Sequence, residues 1–180
     1  MDTTYFVDVT DGNNCTARDS VQITINPLPT ITVTNDTTIC IGDTVQLTAT
    51  GGTVFSWTPT DSLSDPNIFN PLADPSDTTA YIVDVTDANG CSDTASVTVN
   101  VAQPPTVTLN GDQTICENDT AQLIASGGTA YSWSPTATLF TPTNDSTLAN
   151  PTTTTTYTVR VTDALGCFKD TTVDVIVDPL

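Results

Sequence analysis

The sequence contains no histidine and only three basic residues, Arg18, Arg160 and Lys169, against 21 acidic ones. Its formal net charge is −18. Nucleic-acid binding needs a basic face, so this charge balance excludes that class of partner. Without histidine, general acid–base catalysis would depend on carboxylates alone, and the sequence offers no nucleophile–base pair or glycine-rich phosphate loop. We therefore expect a protein that is not an enzyme.

Long apolar runs are also missing. No stretch of about 18 apolar residues occurs, which argues against membrane insertion, and the negative charge argues against unaided binding to an anionic membrane surface. The start of the sequence lacks the basic and apolar segments of a signal peptide. Met1 falls in the register of Asp77, in the middle of a repeat described below, so we interpret the chain as a section of a longer protein.

One nine-residue stretch occurs twice, each time around a tryptophan. Residues 51–59 read GGTVFSWTP and residues 127–135 read GGTAYSWSP, so that Trp57 and Trp133 are 133 − 57 = 76 residues apart. Further matches at this offset are Cys40 with Cys116, Asp43 with Asp119, Tyr81 with Tyr157, Asp87 with Asp163, and Cys91 with Cys167. So many matches in one register indicate a tandem repeat.

Alternating apolar and polar residues between turn signals predict about seven short strands per repeat and no helix. This pattern is typical of an antiparallel β-sandwich of the immunoglobulin-like class, so the fold class is all-β. We predict the terminal strands F and G of a truncated repeat over 1–26, a whole repeat over 30–103 and another over 106–180. Proline-containing linkers at 27–29 and 103–105 are short and stiff, which favours an end-to-end array.

The strands of the whole repeats are predicted from this alternation and from the turns between them. In the second repeat they are B (121–126), C (130–134), F (157–162) and G (173–177). In the first repeat they are A (30–34), B (45–50), C around Trp57, F (81–85) and G (97–101), and residues 60–79 are expected to hold short strands at best. Both tryptophans lie at the centre of strand C, where we expect them to anchor the core.

The motif order TIC-x-x-DT-x-QL, GGT-x-[FY]-SW-x-P and [AT]Y-x-V-x-VTDA-x-GC resembles the immunoglobulin-like and PKD-like repeats of Bacteroidota surface proteins. Such repeats occur in large secreted adhesins and gliding-associated proteins that the type IX system exports. The resemblance covers nearly the whole chain. It implies an extracellular, cell-surface location, but it does not identify a ligand, because this architecture hosts many functions.

The five cysteines form no Cys-x-x-Cys pair, and their fixed positions in each repeat indicate disulfides and an oxidising compartment. Three pairings are open. Pairing within repeats would join Cys40 to Cys91 and Cys116 to Cys167. Pairing across the repeat junction would join Cys40 to Cys167, because the start of strand B and the end of strand F lie at opposite ends of a sandwich. A folded-back junction would join Cys15 to Cys40 and Cys91 to Cys116.

Aspartates in the turns allow two interpretations. Asp43, Asp87, Asp119 and Asp163 could supply oxygen ligands to structural Ca²⁺ at repeat junctions. Alternatively, each carboxylate accepts hydrogen bonds from its own turn. Asp-Ser/Thr-apolar triplets resemble an O-glycosylation pattern of Bacteroidota secreted proteins, or arise by chance in a Thr-rich chain. Their hydroxyl residues are Ser20, Thr44, Ser62, Thr94 and Thr120.

These features together predict a stalk or filament section of a bacterial surface adhesin, in which linked sandwiches play a mechanical part. The expected partners are further copies of the same repeat in cis and other subunits of a filament, in which residues 1–26 could complete a neighbouring chain's sheet. A surface or polysaccharide ligand is not identified. The alternative function is a carbohydrate-binding or spacer module of a secreted enzyme, which an exposed row of aromatic side chains would favour.

Overall fold

The computed structural model describes residues 2–179, and over this range it contains strands, turns and no helix. No segment of the described part could therefore cross a membrane as a helix. The chain forms two compact units. The first comprises the residues up to Asn35 together with Gln46–Ala73 and Ala80–Val97. The second comprises Asp36–Val45, Asp74–Thr79 and the residues from Thr98 onward.

The second unit contains one entire repeat with two sheets. Its strands are β11 (Thr108–Leu109), β12 (Gln113–Cys116), β13 (Ala121–Ser126), β14 (Ala130–Ser134), β15 (Ser146–Ala149), β16 (Thr155–Thr162) and β17 (Phe168–Asp178). One sheet has the order β11-β13-β15 and the other the order β12-β17-β16-β14. These are strands A-B-E facing A′-G-F-C, an immunoglobulin-like sandwich. The predicted all-β fold class is confirmed, while the end-to-end array stays a prediction.

The first whole repeat has the same plan, with strands B and E shorter than in the second. Its strands are β3 (Thr32–Val33), β4 (Thr37–Cys40), β5 (Val45–Gln46), β6 (Ala49–Thr50), β7 (Val54–Thr58), β8 (Leu72–Ala73), β9 (Thr79–Thr86) and β10 (Ser92–Ala102). The strand orders are β4-β10-β9-β7, β3-β6 and β5-β8. Strand B is thus divided into β5 and β6, and strand A is shorter than the predicted 30–34.

Each sandwich closes around a tryptophan. Trp133 is 1% exposed and lies in a buried cluster with the inward residues of β13, β15, β16 and β17. Those residues are Ala121, Leu123, Ala125, Ala149, Tyr157, Val159, Val161, Val173 and Val175. Trp57 is fully buried in the first repeat, as are Tyr81, Val83 and Val85. The alternation of large apolar residues along the F strand therefore provides one wall of each core.

The indole also fixes the loop that follows strand C. The Trp133 backbone N–H donates to the Pro142 carbonyl at 2.7 Å, and its Nε1–H donates to the Asn144 carbonyl at 3.0 Å. Trp57 makes the same two bonds in the first repeat, to the carbonyls of Pro66 at 2.8 Å and Ile68 at 2.9 Å. One residue thus fills the core and holds the connection to the opposite sheet.

The N-terminal segment is a single hairpin of β1 (Thr3–Thr10) and β2 (Thr16–Ile23), which pair antiparallel. At twice the repeat offset, Tyr5, Val7 and Val9 correspond to Tyr157, Val159 and Val161. The first three are 55–60% exposed, whereas the latter three are fully buried. This hairpin therefore presents to solvent a set of side chains that forms a core wall elsewhere in the chain. Its assignment to the end of a truncated repeat stays a prediction.

The Gly-Gly pair before strand C is required by close backbone approach. Gly127 has φ +113, and a Cβ at this position would collide with the carbonyl of Thr106. A Cβ on Gly128 would lie 2.5 Å from the Thr162 carbonyl. Only glycine allows the residues just before strand A and the end of strand F to pass this close to the turn.

We predict that Gly127→Ala destabilises the second sandwich by more than about 3 kcal/mol, because a strained backbone and a clash with the Thr106 carbonyl act together. Gly111→Ala is the matched control, since Gly111 also has a positive φ, +83, but open space around it. Gly111→Ala should lower the free energy of unfolding only through its strained backbone, by about 1–2 kcal/mol. Equal losses in urea unfolding of the two variants would contradict the close-approach explanation.

Candidate functional site

A short strand carries the first half of the candidate site. Strand β12 runs parallel to the end of β17, with Gln113 opposite Val175 and Cys116 opposite Asp178. Strand β4 pairs in the same way with the end of β10, so that Cys40 lies opposite Ala102. Both cysteines are therefore the last residue of a strand that we call A′. From the sequence we expected only the approach to a turn here, because a strand of four residues is too short to show an alternating pattern.

An aspartate before each A′ strand holds it in register. The Asp112 carboxylate accepts the backbone N–H of Asp174 at 2.9 Å. The Asp36 carboxylate accepts the N–H of Thr98 at 2.7 Å. These two aspartates were missed in the sequence, although they obey the repeat offset, since 112 − 36 = 76.

The second half of the site is the F–G turn. The Asp163 Oδ1 atom accepts the N–H groups of Leu165 and Cys167, both at 2.9 Å, and the Asp163 N–H donates to the Cys167 carbonyl at 2.9 Å. Cys167 itself is only 1% exposed. The turns at Asp87 and Asp11 make the same bonds, with Oδ1 accepting from Cys91 at 2.9 Å and from Cys15 at 2.8 Å.

A disulfide joins the two halves. Cys40 is bonded to Cys167, with a Cα–Cα distance of 5.5 Å and a sequence separation of 127. Both residues belong to the second compact unit, which includes Asp36–Val45. A segment of the first repeat is therefore built into the same unit as the whole second repeat. Of the three open pairings, the structure contains the one across the repeat junction.

Pairing within repeats is wrong for this structure, and strand register gives the reason. Cys167 immediately precedes β17, while Cys116 lies opposite its last residue. The 11 residues of β17 extend over about 36 Å, whereas a disulfide needs Cα atoms within about 7 Å. Cys91 and Cys40 stand at the two ends of β10 in the same manner. The pairing of Cys15 with Cys40 and of Cys91 with Cys116 is likewise not present, since Cys15, Cys91 and Cys116 are free thiols.

The turn aspartates act within their own turns. Asp87 and Asp163 accept backbone N–H groups through Oδ1, as the alternative to a calcium site requires. Asp43 and Asp119 lie exposed after the A′ strands, where their N–H groups donate to the carbonyls of Cys40 and Cys116 at 3.0 and 3.1 Å. Over residues 2–179, no three acidic, cysteine or histidine side chains gather in a group suited to a metal. The Ca²⁺ hypothesis stays a prediction.

Hydrogen bonding makes the Asp87 carboxyl more acidic. The backbone N–H of Cys91, helped by those of Asn89 and Gly90, stabilises the charged form of Asp87 and lowers the pKa of its carboxyl from the ordinary value. Arg160 has a similar effect across strands F and G. Its guanidinium contacts the Asp170 carboxylate at 2.8 Å and lowers the pKa of that group. The same guanidinium stacks on Phe168, 3.9 Å from the ring centroid.

The remaining sequence candidates are dispersed. Trp57 and Trp133 are buried and hydrogen-bonded inside their sandwiches, so neither presents a face for stacking on a sugar. The five hydroxyl residues of the proposed glycosylation triplets are all exposed. They are Ser20, Thr44, Ser62, Thr94 and Thr120. Exposure is what modification requires, and glycosylation of these residues stays a prediction.

No protein-family profile matches the sequence, and no curated protein matches it. Among solved structures, the IG1+IG2 fragment of DIP-gamma is 14% identical with a TM-score of 0.40, over 84% of this chain and 98% of that one. The insect immune protein hemolin is 14% identical with a TM-score of 0.44, over 98% of this chain and 56% of that one.

A Ca²⁺-stabilized adhesin that helps an Antarctic bacterium reach out and bind ice is 16% identical with a TM-score of 0.44, over 98% of this chain and 57% of that one. This chain thus spans little more than half the length of the hemolin and adhesin chains. At sequence identities this low, the similarity concerns the fold alone. The assignment of this chain to the immunoglobulin-like fold rests on its own strand orders, given above.

We predict that removing the disulfide destabilises the second unit. Cys40→Ser/Cys167→Ser should lose up to about 5 kcal/mol of unfolding free energy, because the unfolded chain regains the entropy of a closed loop of more than 100 residues. Guanidinium unfolding under non-reducing conditions measures this loss. Cys15→Ser is the control, since Cys15 is an exposed free thiol, and it should leave the midpoint unchanged. An unchanged midpoint in the double variant would contradict the prediction.

We also predict a pH-dependent contribution from Asp87. Its folded pKa is lower than its unfolded value of about 3.9, so its contribution to stability is present above pH 4 and is lost as pH falls through the folded pKa. Asp87→Ala should therefore unfold more readily than wild type at pH 7, and the difference should shrink toward pH 2. Asp87→Asn keeps an acceptor oxygen but cannot ionise, so it should lose the part of the pH dependence that comes from residue 87. A difference that stays constant from pH 7 to pH 2 would contradict this assignment.

Proposed function

We propose that this chain is a structural section, a stalk or filament segment, of an extracellular bacterial surface adhesin. The observation that carries the proposal is the disulfide between Cys40 and Cys167, which ties strand A′ of one repeat to the F–G turn of the next. A staple at this position resists separation of successive repeats. Such a bond also persists in an oxidising, extracytoplasmic compartment and not in a reducing cytosol.

The chemistry of the rest of the chain supports a passive role. Several of its aspartates serve turns or strand register, as Asp163 and Asp112 do. The net charge of −18 favours solubility and mutual repulsion rather than a binding surface for polyanions. We regard the protein as a non-enzyme for these reasons, and we propose further repeats of the same kind as its neighbours in the array.

The alternative, a carbohydrate-binding or spacer module of a secreted enzyme, draws less support. Sugar binding commonly uses exposed aromatic platforms, and both tryptophans lie inside the sandwiches. The hairpin of β1 and β2 favours participation in a larger β-structure, because its apolar residues are those that form a core wall in the whole repeats. A complementary layer of strands from a repeat of the same kind would suit this face.

Surface labelling of the source cells tests the proposal. An antibody raised against this chain should label intact cells as strongly as permeabilised ones, and electron microscopy should place the label on thin extended structures. External protease should remove the label, with a cytosolic protein as the control for intact membranes. Labelling that appears only after permeabilisation, or that follows a secreted glycosidase away from the cells, would contradict the surface adhesin.

A further inference from the structure

The five cysteines occupy two positions in the fold. Two of them, Cys40 and Cys116, end strand A′, and we call them strand-end cysteines. The other three, Cys15, Cys91 and Cys167, close an F–G turn in which an aspartate Oδ1 accepts the cysteine N–H, and we call them turn cysteines. The disulfide of the chain joins one cysteine of each kind. One strand-end thiol and two turn thiols remain.

We propose that Cys116 is a junction site for a second copy of this chain, closed by a disulfide to a turn cysteine, Cys15 or Cys91, of that copy. This deepens the proposed structural function, on which it rests, because it states how one section joins the next. The exposed Cys116 matches the bonded Cys40 in strand position, in register with the end of strand G and in the following turn, where Asp119 donates its N–H to the Cys116 carbonyl.

The surroundings of the bonded and free cysteines differ in polarity. Ile41, Pro104 and Phe168 line a cleft beside the Cys40–Cys167 disulfide, so the formed junction is partly apolar. Beside Cys116, the position of Ile41 is taken by Glu117, which is exposed, and that of Gly42 by Asn118. The end of this A′ strand is therefore suited to a polar turn and not to a turn such as the one that carries Phe168.

The two free turns are polar at the corresponding positions. Phe168 is replaced by Thr16 in the first turn of the chain and by Ser92 in the second. Asn13 and Asn89 stand where the turn of Cys167 has Leu165. The asparagine amides and the Thr16 and Ser92 hydroxyls can donate hydrogen bonds to the Glu117 carboxylate of another copy. Polarity thus matches the free strand-end cysteine to the free turn cysteines.

The bond forms by thiol–disulfide exchange with a low-molecular-weight disulfide such as oxidised glutathione. One thiolate attacks the glutathione disulfide and releases one glutathione thiolate. The second protein thiolate then attacks the mixed disulfide, forms the protein–protein S–S bond and releases the second glutathione. Two protein thiols lose two protons and two electrons in total, and one glutathione disulfide becomes two thiols.

The whole chain in a glutathione redox buffer provides the test, with non-reducing electrophoresis and mass spectrometry of crosslinked peptides as readouts. We expect dimers and longer oligomers that reduction dissolves, in which Cys116 is linked to Cys15 or Cys91 and the Cys40–Cys167 bond is retained. A chain that stays monomeric with three free thiols would overturn the proposal. So would crosslinks dominated by Cys116–Cys116 or by two turn cysteines, which indicate unselective oxidation.

Variants that each lack one kind of free cysteine sharpen the test. Cys116→Ser alone and Cys15→Ser/Cys91→Ser alone should both stay monomeric. Their equimolar mixture should form crosslinked dimers, and trimers where both turn cysteines of one Cys116→Ser chain react, because each variant supplies what the other lacks. A mixture that stays monomeric, with the Cys40–Cys167 bond intact in both variants, would overturn the proposal. Oligomers formed by Cys116→Ser alone would also overturn it.

Substitution of the neighbouring carboxylate examines recognition, and the Glu117→Gln variant controls for the effect of charge loss on thiol reactivity. Glu117→Ile gives Cys116 the neighbour that Cys40 has, and crosslinking to the polar turns should slow several-fold, whereas Glu117→Gln, which keeps a polar side chain, should slow less. Equal rates in all three proteins would overturn the polar match. If crosslinking fails but intact cells are still labelled, the adhesin proposal stands and only the junction at Cys116 is overturned. If intact cells are not labelled, the crosslinking result is unaffected and only the adhesin proposal is overturned.

Discussion

Burial of one indole in each repeat is the interaction around which the sandwiches close. Trp133 fills the space between β13, β15 and β16, and its two N–H groups hold the loop after strand C. That loop carries the chain to the opposite sheet, so the same residue sets both the core and the crossing between its walls. A repeat of fewer than 80 residues buries little surface, which makes one large side chain decisive.

The parallel pairing of strand A′ with strand G has a consequence beyond the core. It places the strand-end cysteine at one end of an 11-residue strand and the turn cysteine of the same repeat at the other. Cys40, in this position, has no partner within reach in its own repeat and is bonded to Cys167 of the other repeat. This connection between repeats is thus a product of strand register within a repeat.

The hairpin of β1 and β2 illustrates what a β-strand pair lacks when no second sheet covers it. Its Tyr5, Val7 and Val9 alternate as their buried counterparts do, but they remain exposed. Two strands alone are marginally stable in water. The Asp8–Arg18 ion pair across them, at 2.6 Å, lies in solvent and adds little. The stability of this segment therefore depends on what covers its apolar face.

Local patterns were sufficient for much of the fold. The alternation in 121–126 and 130–134 predicted β13 and β14 to the residue, and the Gly-Gly-Thr motif located the turn before each tryptophan. The start of β16 was predicted two residues late, and β17 is longer at both ends than the predicted 173–177. The positions of strands E and A′ were not predicted, although short strands were expected within 60–79, because a run of two to four residues has no visible period.

The sequence by itself determined the all-β class and located the core tryptophans and the turns, since each depends on residues close together in the chain. It also predicted a tandem repeat from an exact offset of 76. It left three cysteine pairings open, because spacing along a chain does not measure distance in space. Only the tertiary structure decided among them. The register of β12 on β17 and of β4 on β10 separates cysteines of one repeat and leaves Cys40 beside Cys167.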